Sequence, residues 1–277
     1  MAETEHIIGI DLGTTNSVVA VLEDEAPRVI TNSEGSTRTP SVICFQENGD
    51  VLVGELARRQ AAVNPSRTIS SVKRFMGRGA GDLEHLRARL PFELTEVEGE
   101  LYVQVGDKGY SPPQLSAFIL TKLRQAAEDY LGEAVAKAII TVPAYFDDIQ
   151  RKATMEAGRL AGLEVLRLIN EPTAAAMAYG LGRAGRERIA VYDFGGGTFD
   201  VTLLDIENNA FEVLTSVGDT QLGGDDIDDL LVTLLIEQFT AVAGPDYAPD
   251  HMALRRMREA VEKAKCELSS ARQAVIQ

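Results

Sequence analysis

Cysteine is nearly missing from this 277-residue chain: only Cys44 and Cys266 occur, far apart in sequence. Two such residues make neither a disulfide framework nor a metal cluster, which fits a reducing cytosol, and a cytoplasmic location is expected. Positive charge is also scarce. Against 42 acidic residues there are 27 Lys and Arg, a net charge of −15, whereas binding to nucleic acid or anionic membrane needs a basic footprint. Long apolar runs are lacking, so no membrane span is expected. The opening Met1-Ala2-Glu3-Thr4-Glu5 is acidic and runs into a strand, unlike a signal or transit peptide. No Gly-x4-Gly-Lys-Ser/Thr string occurs, which argues against a P-loop enzyme. With 45% hydrophobic and 25% charged residues the composition is that of a soluble globular protein of one large domain or two lobes.

What the chain does contain is a glycine-tipped hairpin. Ile189-Ala190-Val191-Tyr192 leads into Asp193-Phe194-Gly195-Gly196-Gly197-Thr198-Phe199-Asp200, and Val201-Thr202-Leu203-Leu204 returns. Three glycines remove every Cβ from the turn, so backbone N–H groups can converge on an anion, with the Thr198 hydroxyl and the Asp193 carboxylate beside them. Phosphate with a divalent cation suits this set. One such hairpin could be an ordinary tight turn. It is, however, written twice. Ile7 to Leu22 aligns on it without gaps, Asp11 over Asp193 and Gly13 over Gly195, at a constant offset of 182 residues. Two lobes that each aim a phosphate hairpin at a shared cleft are the inference.

The rest reads as alternating strands and helices, an α/β fold. Strands are expected at Ala26–Ile30, Thr39–Phe45 and Val51–Val53, with Asn48-Gly49-Asp50 as a hairpin turn. A short helix follows over Gly54–Asn64, then a glycine-rich charged loop from Gly77 to Arg89. Gly77-Arg78-Gly79-Ala80-Gly81 follows no strand and opens no βαβ unit, so it is no dinucleotide fingerprint. Strands meet at the Glu98-Gly99 turn. Ser111-Pro112 starts a helix that Gly132 ends, Ala138–Val142 is a buried strand, and Asp147 or Asp148 caps the next helix. Glu171-Pro172 opens a helix closed by Gly180-Leu181-Gly182. Phe211–Leu214 is a strand. After Gly223-Gly224, a helix with Ile227, Leu230, Leu231, Leu234, Leu235 and Phe239 as its core face is expected, and Asp250 starts the last one, with Leu254, Met257, Val261, Ala264 and Leu268 as its apolar stripe.

The two hairpins, together with Val72-Lys73-Arg74-Phe75-Met76-Gly77-Arg78, Val142 to Asp148, Ile169 to Ala176 and Gly218 to Asp226, resemble the ATPase domain of the 70-kDa heat-shock chaperones. The resemblance runs from about Ile7 to the last residue. It implies a two-lobed, actin-like (ribonuclease-H-like) ATPase fold, with residues 1–182 as the first lobe and 183–277 as part of the second. It further implies ATP or ADP as ligand with Mg²⁺, and K⁺ as an optional further cation. Gly13, Thr14, Thr15, Asn16 and Gly195, Gly196, Gly197 and Thr198 would hold phosphates, joined by Gly223, Gly224 and Asp225. Asp11, Asp193 and Glu171 would flank the metal, largely through waters. Lys73, Thr198 and Asp200, with Asp11 and Glu171, would carry hydrolysis. Read without the resemblance, Lys73 is a solvated surface lysine and Glu171 an acid favourable to a helix dipole.

By the same resemblance, Glu262, Lys265 and Ser269, at spacings of three and four on one helix, bracket the adenosine; on their own Glu262 and Lys265 are a routine ion pair. Tyr145, Phe146, Asp148, Arg167 and Asn170 would face the J-domain co-chaperone and a substrate-binding domain, with Pro172 in the coupling between domains. A nucleotide exchange factor and unfolded client peptides are the other implied partners. Cys266 stands where some relatives carry a basic residue, and Asp225 where many have Glu. The chain stops just past the adenosine helix, so the second lobe is expected to be incomplete and imperfectly packed. A small-molecule kinase of the same superfold, or a non-hydrolysing nucleotide-binding or filament-forming protein, are the alternatives.

Overall fold

The computed structural model describes residues 6–87, 90–180, 185–208, 210–244 and 248–276. It opens on the first hairpin, β1 (Ile7–Asp11) and β2 (Asn16–Glu23), followed by β3 (Ala26–Val29). Ile8, Ile10, Val19 and Val21 alternate onto one face and are buried. Thr39–Phe45, expected as one strand, is divided into β4 (Thr39–Pro40) and β5 (Val42–Phe45). Ser41 separates them because it bonds to the first glycine tip instead: its N–H donates to the Thr15 carbonyl at 2.9 Å and its hydroxyl to the Gly13 carbonyl at 2.7 Å. β6 (Val51–Val53) returns through the expected Asn48-Gly49-Asp50 turn, α1 (Glu55–Gln60) is shorter than anticipated, and β7 (Thr68–Ser70) completes a small β6-β5-β7 sheet.

A single helical turn, Val72–Phe75, precedes the glycine-rich segment, which holds the short α2 (Glu84–Arg87) and whose end at Arg89 is outside the described residues. β8 (Glu93–Val97), β9 (Glu100–Val105) and β10 (Lys108–Tyr110) form a meander, turning at Glu98 and Gly99 with φ of 54° and 84°. In α3 (Pro112–Leu131) the Ser111 hydroxyl accepts from the Gln114 N–H while the Gln114 side chain accepts from the Ser111 N–H. This capping box satisfies two amides that would otherwise lack partners. Ser111→Ala is expected to lower stability by about 1 kcal/mol, measured as a shifted urea midpoint with unchanged m-value.

β11 (Lys137–Val142), α4 (Asp148–Leu160, capped by Asp147) and β12 (Glu164–Asn170) make a βαβ unit that leads into α5 (Glu171–Gly180). The strand β12 was not foreseen. Leu181 and Gly182, and with them the expected division at 182/183, fall outside the described residues. The second half holds β13 (Arg186–Phe194), β14 (Phe199–Glu207), β15 (Ala210–Asp219), α6 (Gly224–Ala243) and α7 (His251–Glu267).

Two sheets organise these elements. The larger runs β12-β11-β1-β2-β3 with β4 on β2; β1, β11 and β12 are parallel and the remainder antiparallel. Its core joins Ile8, Ile10 and Val19 to Leu115, Leu120 and Ile140. The smaller sheet is β13-β14-β15. The repeat seen in the sequence is a repeat of register: Ile8↔Val21, Ile10↔Val19 and Asp11↔Val18 recur as Ala190↔Leu203, Tyr192↔Val201 and Asp193↔Asp200.

One expectation is corrected. Of the supposed core face of α6, Ile227, Leu230, Leu234 and Phe239 are exposed, and so is Leu268 at the end of the α7 stripe, although Val261 and Ala264 are buried. α6 packs on α7, and among the described residues no further layer covers its outer side. Tyr192 and Val217 on the smaller sheet are exposed as well. The second half is thus less fully packed than the first.

Candidate active site

The two glycine tips meet. A Cβ on Gly196 would lie 1.9 Å from the Thr15 hydroxyl oxygen, and one on Gly197 would lie 2.6 Å from the Thr14 methyl. The turn before α6 presses on the same tip, since a Cβ on Gly223 would lie 2.4 Å from the Gly196 carbonyl. Only glycine permits this approach. Within the second tip the Gly195 N–H donates to the Thr198 carbonyl at 2.9 Å.

The start of α6 differs from expectation. Its glycines were read as offering amides to phosphate. In the structure the Gly223 N–H donates to Asp226 (2.8 Å), Gly224 to the Gly195 carbonyl (2.9 Å) and Asp225 to the Gly196 carbonyl (2.8 Å). These amides brace the hairpin from behind.

A cleft of about 440 Å³ opens beside the tips. Its wall gathers Asp11, Gly13, Thr14, Thr15, Asn16, Lys73, Glu171, Asp193, Gly195, Gly196 and Thr198, and also Thr141, which the sequence did not single out. The Thr141 hydroxyl donates to Asp11 at 2.9 Å. Lys73 is buried, so the surface-lysine reading does not hold. Its ammonium lies 2.5 Å from Glu171 Oε1 and 5.9 Å from the Phe146 ring centroid.

Burial sets the electrostatics here. It raises the Glu171 carboxyl above the usual range, against the opposing pull of Lys73. Asp193 is raised by burial and by Asp11, again opposed by Lys73. Asp200 lies off the cleft wall, paired in register with Asp193, and burial plus the Asp193 charge push it up to about 6. Asp200 Oδ1 is buried without a hydrogen-bond partner. Among the described residues no three acidic, His or Cys side chains converge to ligate one ion. Asp11, Asp193 and Glu171 nevertheless line one cleft, and their carboxyl oxygens are the donors that suit a hydrated divalent cation beside phosphate.

The three residues assigned to adenosine have different surroundings. Glu262 lines a second cavity of about 110 Å³ that also touches Thr14 and Thr15. Lys265 is engaged with Asp228 (2.8 Å) and the Gly224 carbonyl (3.0 Å), and Ser269 is exposed beyond the end of α7, as is Cys266 on it. Of the residues assigned to partner surfaces, Tyr145, Asp148 and Arg167 are exposed, Phe146 is buried, and Asn170 accepts a 2.8 Å bond from Arg151.

The sequence reading missed Ser71, Arg74 and Arg78, although the string Val72 to Arg78 contains the two arginines and Ser71 adjoins it. Their partners lie about 150 positions away: Ser71 donates to Asp225 (2.7 Å), Arg74 to Asp226 (2.8 Å) and the Gln221 carbonyl (2.7 Å), and Arg78 to Thr220 (2.5 Å).

Two α/β units that oppose glycine hairpins in one register, over a cleft of acids and one buried lysine, define a fold of the actin-like ATPase class. Residues 7–277 match the Hsp70 protein family, and the chain belongs to it. That family is one of chaperone-type ATPases that bind ATP or ADP with Mg²⁺ and work with J-domain proteins and exchange factors. Among the described residues no helix is long and apolar enough to cross a membrane.

Proposed function

We propose that this chain binds Mg-ATP in the 440 Å³ cleft and hydrolyses it to ADP and phosphate, as the ATPase part of a 70-kDa-type chaperone. Residues 1–182 are its first lobe and 183–277 belong to the second. The observation that carries this reading is the contact of the two equivalent glycine tips beside the ion pair of buried Lys73 with part-buried Glu171. Thr14, Thr15 and the Gly195–Thr198 tip hold the β- and γ-phosphates through hydroxyls and amides. Mg²⁺, when bound beside Asp11, Asp193 and Glu171, supplies charge that offsets the phosphate oxygens. The Lys73 ammonium stabilises negative charge that develops on the γ-phosphoryl, and Thr198, with Asp200 behind the wall, positions and polarises the attacking water. Closure on ATP and relaxation on ADP switch peptide holding in a substrate-binding domain, with J-domain and exchange-factor partners setting the pace.

Release of phosphate from Mg-ATP with no sugar or acid acceptor present tests this reading. Slow release that is lost in Lys73→Ala supports hydrolysis; release only on addition of a small acceptor would point to a kinase instead.

The pH dependence has a definite sign. Only the ionised carboxylate polarises a water, so the contribution of Asp200 is present above about 6 and is lost as pH falls through that value. Asp200→Asn is expected to remove this step from the pH–rate profile. For stability the direction is opposite. A carboxyl raised in the folded state contributes stability below its unfolded value, and loses it as pH rises through about 6.

A further inference from the structure

The segment 71–78 carries Lys73 toward one half of the molecule and three other side chains toward the other. Lys73 and Arg74 are neighbours in the single turn Val72–Phe75, yet Lys73 meets Glu171 on α5 while Arg74 meets Asp226 on α6. Arg74 is buried, and its Nη2 donates to both Asp226 oxygens, at 2.8 and 2.9 Å, and to the Gln221 carbonyl. Asp226 in turn accepts the Gly223 N–H, and Gly223 is pressed on the Gly196 carbonyl. An unbroken path of contacts therefore runs from the turn that carries the lysine to the second glycine tip.

The turn is anchored on both sides of Arg74. Ser71, at φ 55° and ψ 32°, takes a left-handed conformation that costs a non-glycine residue energy, and its hydroxyl is held by Asp225 at 2.7 Å. Arg78 reaches Thr220 at 2.5 Å. The two halves cannot separate at this point without either breaking the Arg74 contacts or drawing Lys73 along. All three Arg74 bonds come from the one nitrogen Nη2, while Nε is buried without a partner, so a lysine ammonium would replace part of this set from a differently shaped stem.

We infer that Arg74 is a positioning residue for the hydrolysis proposed above: it ties the turn bearing Lys73 to the start of α6, so that the lysine and the Gly195–Thr198 tip keep one mutual geometry. It touches none of the reacting atoms. Its removal displaces Lys73 and the tip relative to each other, and a displacement of about 1 Å can cost a hundredfold in rate.

The test measures single-turnover hydrolysis and Mg-ADP affinity for the wild type, Arg74→Ala, Arg74→Lys, Lys73→Ala and the Lys73→Ala/Arg74→Ala double variant. Arg74→Ala is expected to slow hydrolysis by about tenfold to a hundredfold and to weaken Mg-ADP binding by a clearly smaller factor, because ADP lacks the γ-phosphoryl on which Lys73 acts. Arg74→Lys should recover part of the rate. Once Lys73 is gone, Arg74→Ala should have no further effect on rate, because it acts through that lysine. An equal loss of rate and ADP affinity, or an undiminished effect in the Lys73→Ala background, overturns the inference. Should Arg74→Ala fail to fold, Arg74→Lys in the two backgrounds decides by the same criterion. The inference rests on the hydrolase reading, so amide hydrogen exchange separates the two. If the wild type does not turn over ATP, faster exchange in Arg74→Ala at both Val72–Met76 and Gly195–Thr198 still upholds the tie, and faster exchange at one segment alone, or at neither, refutes it.

Discussion

Lys73→Ala is expected to lower single-turnover hydrolysis of Mg-ATP by about a hundredfold to a thousandfold, the usual cost of removing one preorganised charge from a transition state. Mg-ADP affinity should fall far less, since a γ-phosphoryl is where the ammonium acts. The substitution also leaves Glu171 buried without its 2.5 Å partner. Burial already raises that carboxyl and Lys73 opposes the rise, so Glu171 should take up a proton in the variant instead of remaining charged. Lys73→Arg should not restore the rate, because a planar guanidinium does not occupy the place of a compact ammonium. A Lys73→Ala rate within about threefold of wild type would remove this residue from the chemistry.

Gly223→Ala is expected to weaken Mg-ADP binding by about tenfold to a hundredfold, the effect of overpacking by one methyl where the neighbours cannot move. The alanine's own backbone is not the cause, since Gly223 is extended. Its Cβ, however, would lie 2.4 Å from the Gly196 carbonyl and 2.5 Å from the Gly197 nitrogen, and these are main-chain atoms of the tip itself. Gly224→Ala is the graded comparison. There the nearest atom is the Lys265 ammonium at 3.0 Å, the far end of a side chain that can shift while keeping Asp228, so the loss should be smaller. Gly81→Ala meets nothing within 4 Å and should bind as wild type. Titration of the three variants with Mg-ADP gives the order, and equal affinities throughout would show that the packing of Gly223 on the tip does not matter for the ligand.

The parts of this structure that the sequence disclosed are those set by short-range patterns. The constant offset between Ile7–Leu22 and Ile189–Leu204 fixes hairpin register because side chains in a strand alternate with period two, so equal spacing about the turn gives equal pairing. Ser111 with Gln114, and Asp147 with Gln150, announce helix starts within four residues. The strand Glu164–Asn170 was hidden because it lies at a sheet edge and none of its residues is fully buried, which gives its sequence no clean alternation. Ser41 interrupts a run of strand formers for a distant reason, its bonds to Gly13 and Thr15. Leu230 and Leu234 have the spacing of a core face, but spacing records which side of a helix is apolar and not whether another element covers it.

The candidate site divides in the same way. Asp11, Lys73, Glu171 and Asp193 come from four separate segments, and the motif strings were enough to bring them together on one wall. Glycines before a helix suit either an anion or another chain segment, a choice that their sequence leaves open; in the structure the amides of Gly223–Asp225 bond to Asp226, Gly195 and Gly196. Arg74 was passed over because a lysine beside it had a ready assignment, while Asp226 and Gln221 are remote in sequence.

Calorimetric titration with Mg-ATP and Mg-ADP, set against Asp193→Ala folded to the same circular dichroism spectrum, tests the central claim most directly. Saturable binding to the wild type that is lost in Asp193→Ala is the expected result, and it would place the nucleotide in the cleft between the glycine tips. Equal binding by both proteins, or none by a folded wild type, would contradict it.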